Sequence, residues 1–174
     1  MTAEIEGLVW VPSPEEIQTE KEWIVRESNE IGMETLQQLA TMASEASKLS
    51  YSPYSHYPVG AAILRVSGEN NSGQNIEVAS YSETGHAEEQ ALKNAVSNGA
   101  VQNEGRTFLR AIAVSHMTDT APCGRCRQII AEFSNDCLVI VADINGKINS
   151  ITSSKILLPY AFTPADLESV KTNK

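Results

Sequence analysis

The chain has 174 residues, 41% of them hydrophobic and 20% charged, a composition that fits one globular core, since compact domains most often run to about 100–150 residues and larger ones are common. No segment approaches the roughly 20 consecutive apolar residues needed to span a bilayer, which excludes an integral membrane protein. The net charge of −9 excludes a polyanionic partner such as nucleic acid, whose binders draw most of their non-specific affinity from Lys and Arg neutralising phosphates.

The first residues, MTAEIEGLVWVPSPEEIQTE, contain no basic leader followed by a continuous apolar stretch, so nothing marks them for secretion and a cytoplasmic location is expected. Residues 1–30 mix charges with Ile5, Leu8, Val9, Trp10, Trp23 and Ile24, which suggests an extension packed onto the domain rather than a disordered tail. The expected division is an N-terminal extension over 1–32 and a main domain over 33–174. The acidic residues between Glu15 and Glu30 alternate with Lys21 and Arg26 and read as a solvated face.

From Met33 to Leu49 the apolar positions Met33, Leu36, Leu39, Ala40, Ala43 and Ala46 recur at helical spacing, and the Ser-Pro and Tyr-Pro pairs that follow end the pattern. Tyr57 to Val66 is small, apolar and strand-like, closed by the turn-rich stretch Ser67 to Gly73. Asn75 to Tyr81 predicts a second short strand. Ala87, Ala91 and Ala95, with Leu92 and Val96 beside them, then give a helical face ending at Asn98-Gly99, with His86 and Glu88 in its first turn. A strand over Leu109 to Val114, a loop to Pro122 and a helix with inner face Cys126, Ile129, Ile130 and Phe133 follow; Pro122 suits that helix's first position. Leu138 to Ala142 predicts another core strand, and Asn145-Gly146 a hairpin turn into a last one. Strands alternating with helices predict an α/β fold of three layers, α/β/α, with the sheet covered by helices.

The chain has three cysteines. Cys137, beside an apolar run, reads as a small core residue, whereas Cys123 and Cys126 stand as Cys-x-x-Cys at a helix start. There both thiolates point one way and the positive end of the helix dipole favours their ionised form. With His86 they make a typical zinc set. Structural zinc sites are closed by four protein ligands and catalytic ones keep a position for water; no fourth ligand is apparent, which favours the catalytic kind over a redox dithiol or a closed structural site. Glu88, two residues after His86, falls near the metal and can take a proton from water that zinc has acidified towards a pKa of about 7. His56 and His116, in predicted loops, read as solvent-facing or structural rather than as ligands.

His86-Ala87-Glu88 followed by Pro122-Cys123-Gly124-Arg125-Cys126 resembles the His-x-Glu and Pro-Cys-x-x-Cys pattern of zinc nucleobase deaminases. The stretch Ser52 to Ala62, SPYSHYPVGAA, is similar to the loop and first strand of cytidine deaminases, and the likeness continues through Asn75-Ile76-Glu77, Ala79-Ser80-Tyr81, PCGRCRQ over Pro122 to Gln128, and Leu157-Leu158-Pro159 with Phe162 and Asp166-Leu167. The chain is thereby identified as a member of the cytidine deaminase family over about residues 35–168.

That resemblance implies a cytidine-deaminase-like fold with a mixed sheet in domain 33–174, one Zn²⁺ per subunit on His86, Cys123 and Cys126, and hydrolytic deamination of cytidine and deoxycytidine in pyrimidine salvage. Glu88 would protonate N3 of cytosine and then the leaving amine. It further implies that Asn75 and Glu77 hydrogen-bond the sugar hydroxyls, that the backbone of Ala87 orients the base, and that Tyr57, where the family usually has Phe, stacks on the pyrimidine, its added hydroxyl needing a partner if buried. Tyr81 and Phe162 would reach a neighbouring subunit's pocket, implying a homotetramer first and a dimer second. Most short members place Cys at position 86 and Arg at position 89. Zinc with two thiolates and a neutral His sums to zero charge and has less need of that Arg, so Glu89 is expected to point away from the metal, with Arg125 and Arg127 as candidates to sit beside the ligands. Val78 replaces a usual Asn. Deoxycytidylate or a modified cytosine nucleoside, such as a peptidyl-nucleoside antibiotic, is the alternative substrate, although no phosphate-binding Gly-rich loop or Arg cluster accompanies the sugar motif. A non-catalytic zinc-stabilised scaffold is the alternative of another class; it would have no use for Glu88, Asn75 and Glu77.

Overall fold

The computed structural model describes residues 12–167. Ile5, Leu8, Val9 and Trp10, expected to pack the extension onto the domain, lie outside the described residues. The chain enters helix α1 (Pro14–Ile31) through a reciprocal cap, in which Ser13 Oγ accepts from the Glu16 N–H at 3.2 Å and Glu16 accepts from the Ser13 N–H at 2.7 Å, each satisfying a donor that a helix start leaves free. Gly32 separates α1 from α2 (Met33–Ser47). The remaining elements are β1 (Gly60–Arg65), β2 (Asn70–Gln74), a 3₁₀ turn (Tyr81–Glu83), α3 (Ala87–Ser97), α4 (Ala100–Glu104), β3 (Leu109–Ser115), α5 (Gly124–Glu132), β4 (Leu138–Ala142), β5 (Ile148–Ser153) and α6 (Ser154–Leu157).

The strands form one five-stranded sheet in the order β2-β1-β3-β4-β5, in which only β3 and β4 are parallel. Because successive side chains point to opposite faces of a strand, the inner strands feed two cores. Ala62, Leu64, Ala113 and Ile140 pack under Leu36, Leu39 and Ala43 of α2. Ala61, Ile63, Ile112 and Val139 pack under Leu92 of α3 and Ile130 of α5. The result is the three-layer α/β/α arrangement. Trp23, Ile24 and Ile31 of α1 pack on the α2 side, and Arg110 of β3 pairs with Glu27 at 2.8 Å.

Several local expectations are corrected. The strand expected over Tyr57 to Val66 is ladder-paired only from Gly60 to Arg65. Asn75 to Tyr81, expected as the second strand, holds only isolated bridges at Ile76, and the second strand is instead Asn70–Gln74, largely within the stretch read as turns. Asn-Asn-Ser-Gly-Gln has poor strand propensity; pairing with β1 and packing under α3 override it. At Gly73 a Cβ would lie 2.4 Å from the Ala91 backbone nitrogen, so the close approach of α3 requires a residue without one. Pro122 stands two positions before α5, because Cys123, with φ −64° and ψ 163°, is the N-cap residue. His86 likewise caps α3 rather than lying inside its first turn. The hairpin at Asn145-Gly146 forms as expected, Gly146 taking φ +81° where L side chains are disfavoured. Helices α1 and α4 have no counterpart among the elements expected.

Where α1 meets the start of β4, Glu20 comes against Asp136; Glu20 Oε1 is buried without a hydrogen bond, and buried Asp136 Oδ2 has only the Lys155 ammonium, 3.5 Å away. Burial and then Glu20 push the Asp136 carboxyl up to about 6, against the opposing pull of Ser154 and Lys155. A carboxyl whose folded-state pKa is raised contributes stability that is full below its unfolded value and is lost as pH rises through the folded one. Stability is therefore expected to fall between about pH 4 and 6 on this account. Asp136→Asn is expected to remove that slope and to raise stability at pH 8 by roughly 1–3 kcal/mol. Urea melts at pH 5 and pH 8 measure it, and equal destabilisation at both would contradict the assignment.

Candidate metal centre

Two helix starts face one another across the α3–α5 side of the sheet. The crossover from β3 through α5 to β4 carries residues 116–122 beyond the carboxyl end of β3 and delivers Cys123 to the start of α5. On the other side, Ile76 exchanges hydrogen bonds with Gly85 at 2.9 and 3.0 Å, fixing the residue before His86. His86 and Cys123 are both N-cap residues, and neither side chain caps its own helix. Both are therefore free to bind elsewhere, beside the positive ends of two helix dipoles.

His86 Nδ1 lies 3.6 Å from Cys123 Sγ and 3.4 Å from Cys126 Sγ, and the ligand atoms of all three residues fall within 4.8 Å of one another. Zinc with bonds of about 2.3 Å to sulfur and 2.0–2.1 Å to nitrogen in tetrahedral geometry leaves N and S roughly 3.6 Å apart, so the residues present fit one zinc ion per chain. Among the described residues the group includes no fourth protein ligand. Burial first, then Glu88 and Cys123, push the Cys126 thiol upward, so a cation is what would draw out its thiolate form.

Glu88 lies in the first turn of α3, is only 4% exposed, and rests against the Cys126 thiol without joining the ligand group. Glu89 turns elsewhere, to Arg125 at 2.8 Å and Lys93 at 2.7 Å. Burial opposes its charge, but Lys93, Arg125 and the His86 backbone N–H outweigh it and hold the Glu89 carboxyl below its usual range. Arg125 thus bridges α5 to α3. Arg127 instead donates to the carbonyl oxygens of Pro122 at 2.6 Å and Leu157 at 3.0 Å.

Of the remaining expected site residues, Tyr57 lies on the loop before β1, and Asn75 and Glu77, which follow β2, hydrogen-bond to that loop. Asn75 Oδ1 accepts from Ser50 Oγ at 2.5 Å and from the Val59 N–H at 2.9 Å, while its Nδ2 donates to the Tyr57 carbonyl at 3.0 Å. Glu77 accepts from the N–H groups of Tyr54 and Ser55 at 3.0 and 3.1 Å and from the Ser55 hydroxyl; that hydroxyl, against the opposing effect of burial, leads in lowering its pKa. An amide offers two donors and two lone pairs and a carboxylate about four lone pairs, so after these three bonds each has one polar position left for a ligand. Ala87, 1% exposed, begins α3 and packs into the core beneath it. Tyr81, at 65%, and Phe162, at 59%, are exposed, and Tyr81 meets Tyr54 edge to face at 5.7 Å. In the single chain neither stands among the metal-binding group.

Reading the sequence missed the partners that hold this loop, Ser50, Ser55 and Thr118, and placed His116 in a loop as solvent-facing or structural. His116 immediately follows β3 and is buried at 4% exposure. Its one sequence signal was the hydroxyl that Tyr57 adds, which required a partner.

The model for the cytidine and deoxycytidylate deaminase zinc-binding region matches residues 33–142. A cytidine deaminase of Sporosarcina psychrophila is 42% identical over 135 residues, covering 76% of this chain and 94% of that one. A blasticidin-S deaminase of Bacillus cereus is 33% identical over 135 residues, covering 72% and 91%. The crystal structure of cytidine deaminase from Burkholderia pseudomallei superposes with a TM-score of 0.65 at 35% identity, over 72% of this chain and 97% of that one.

Proposed function

The chain belongs to the cytidine and deoxycytidylate deaminase family, and on that footing we propose that it is a hydrolase converting cytidine and deoxycytidine, with water, to uridine and deoxyuridine and ammonia. The observation that carries this reading is a buried carboxylate, Glu88, set beside a three-ligand group that leaves one tetrahedral position open. Zinc held there supplies the Lewis acidity that makes water nucleophilic near neutral pH.

The chain's own residues do the rest. Glu88 takes the proton released as water attacks C4 and delivers it to N3, then carries the proton of the new C4 hydroxyl to the departing amine, so that ammonia leaves and the C4 carbonyl forms. Tyr57 stacks its ring on the pyrimidine, and the backbone at Ala87 orients the base. The one free donor of Asn75 and the one free lone pair of Glu77 take the sugar hydroxyls, which distinguishes a nucleoside from the free base. Tyr81 and Phe162, exposed in one chain, complete the pocket of a neighbouring subunit in a homotetramer, with a dimer as the second arrangement. We assign the deaminase domain to residues 33–174 and an N-terminal extension to residues 1–32; of that extension, α1 packs on the α2 side of the domain. The role is pyrimidine salvage in the cytoplasm; among the described residues no helix is long and apolar enough to cross a membrane.

A second substrate class is favoured by one observation, the likeness to a blasticidin-S deaminase: a modified cytosine nucleoside. Ammonia release by the zinc-loaded protein, assayed in parallel with cytidine, deoxycytidine, deoxycytidylate, cytosine and a peptidyl-nucleoside antibiotic, separates the readings. Turnover of the two simple nucleosides is expected. Turnover of the antibiotic alone would transfer the reading to the second class, and turnover of none would overturn both.

A further inference from the structure

His116 is a buried titratable group that the reaction above does not use. Its Nε2 lies 2.8 Å from the Thr120 carbonyl oxygen. A carbonyl can only accept, which assigns the ring proton to Nε2 and leaves a lone pair on Nδ1 of the neutral imidazole. That lone pair faces the Thr118 N–H at 3.2 Å and the Tyr57 hydroxyl at 3.2 Å. The Tyr57 hydroxyl also meets Thr118 Oγ1 at 2.6 Å, which in turn meets Thr120 Oγ1 at 3.0 Å. The two rings are offset, with centroids 6.1 Å apart and planes 28° from parallel.

The backbone of the loop is held by other groups. Asn75 fixes the Tyr57 carbonyl and the Val59 N–H, and Glu77 fixes the N–H groups of Tyr54 and Ser55. What His116 and Thr118 hold is the far end of the Tyr57 side chain. An unanchored phenol ring rotates about two side-chain bonds, and setting its plane in advance lowers the ordering cost of stacking a base on it.

We propose that His116, with Thr118, is a positioning residue for substrate: its Nδ1 lone pair sets the plane of the Tyr57 ring against which the pyrimidine stacks. This rests on the reading of Tyr57 as the stacking ring in a cytosine nucleoside site. His116 stands outside the metal-binding group and acts through Tyr57, so its loss should weaken binding in ground state and transition state alike, which raises KM and spares kcat.

The test uses the full-length zinc-loaded protein with cytidine. His116→Ala is expected to raise KM about five- to tenfold with kcat changed less than about twofold and zinc content unchanged. His116→Asn, which can present an acceptor where Nδ1 stands, should restore most of the affinity, whereas His116→Gln, which reaches only the Nε2 position, should not. In a Tyr57→Phe background, where no hydroxyl remains to be held, His116→Ala should add no further rise in KM. Should His116→Ala not fold, Thr118→Val, at an exposed position, carries the same expectation in smaller measure. An unchanged KM in these variants, or an equal rise with Tyr57 and with Phe at position 57, would overturn the assignment. Absence of wild-type turnover on every cytosine nucleoside would instead overturn the functional reading beneath it.

Discussion

Substitution of Glu88 by Gln is expected to lower kcat on cytidine by about 10³–10⁴-fold, near the upper range of what a positioned general acid–base contributes. Zinc content and melting temperature should stay at wild-type values. Glutamine has the size of glutamate, so the position, 4% exposed in the first turn of α3, remains filled, and its amide can donate to the Cys126 sulfur that the carboxylate now rests against. It cannot accept a proton from water or return one to N3 and the amine. Because Glu88 stands outside the ligand group, the metal has no reason to leave. Steady-state kinetics beside metal analysis of the same sample give the answer. Activity within about tenfold of wild type would place the proton transfers on another group.

The second large effect is expected at Cys126. Replacement by Ser removes one of the soft donors from a set of three, and serine oxygen is a poor substitute for a thiolate on zinc. Bound zinc should fall below about a tenth of an equivalent and turnover to background. The loss should also lower the melting temperature, since a ligand that binds only the folded chain stabilises it by mass action. Cys137 is the internal control. It is fully buried, its thiol is pushed up to about 12 by burial, and it stands outside the ligand group. Cys137→Ala should therefore keep zinc and activity while losing some stability to the small cavity left. Loss of zinc from the Cys137 variant, or its retention in the Cys126 variant, would contradict the ligand assignment.

The metal centre was legible in the sequence because its parts are local. His86-Ala87-Glu88 and Cys123 to Cys126 each sit at a helix start that apolar periodicity and a flanking Gly or Pro announce, and the fold then needs only to bring two helix ends together. The inner strands β3 and β4 were legible for a similar reason, as continuous apolar runs buried on both faces. Strand β2 was not, because nothing in Asn70–Gln74 prefers a strand; its conformation comes from β1 and α3. Helix α1 could have been found from Ser13-Pro14-Glu15-Glu16, a cap signature masked by a weakly apolar segment. The support of the loop before β1 was illegible on other grounds. Ser55 and Glu77 are 22 residues apart and Tyr57 and His116 are 59 apart, and no periodicity links a side chain to a partner at that distance. That Asn75 and Glu77 hold the loop's backbone and still keep one donor and one lone pair unused follows only from counting their bonds.

The most direct measurement is a zinc titration of the metal-stripped protein, with cytidine as substrate and ammonia and uridine both recorded. The account predicts no turnover without metal, a linear rise that breaks at one zinc per chain, and ammonia equal to uridine throughout. Turnover by the stripped protein, or full zinc occupancy with no turnover on any cytosine nucleoside, would contradict it.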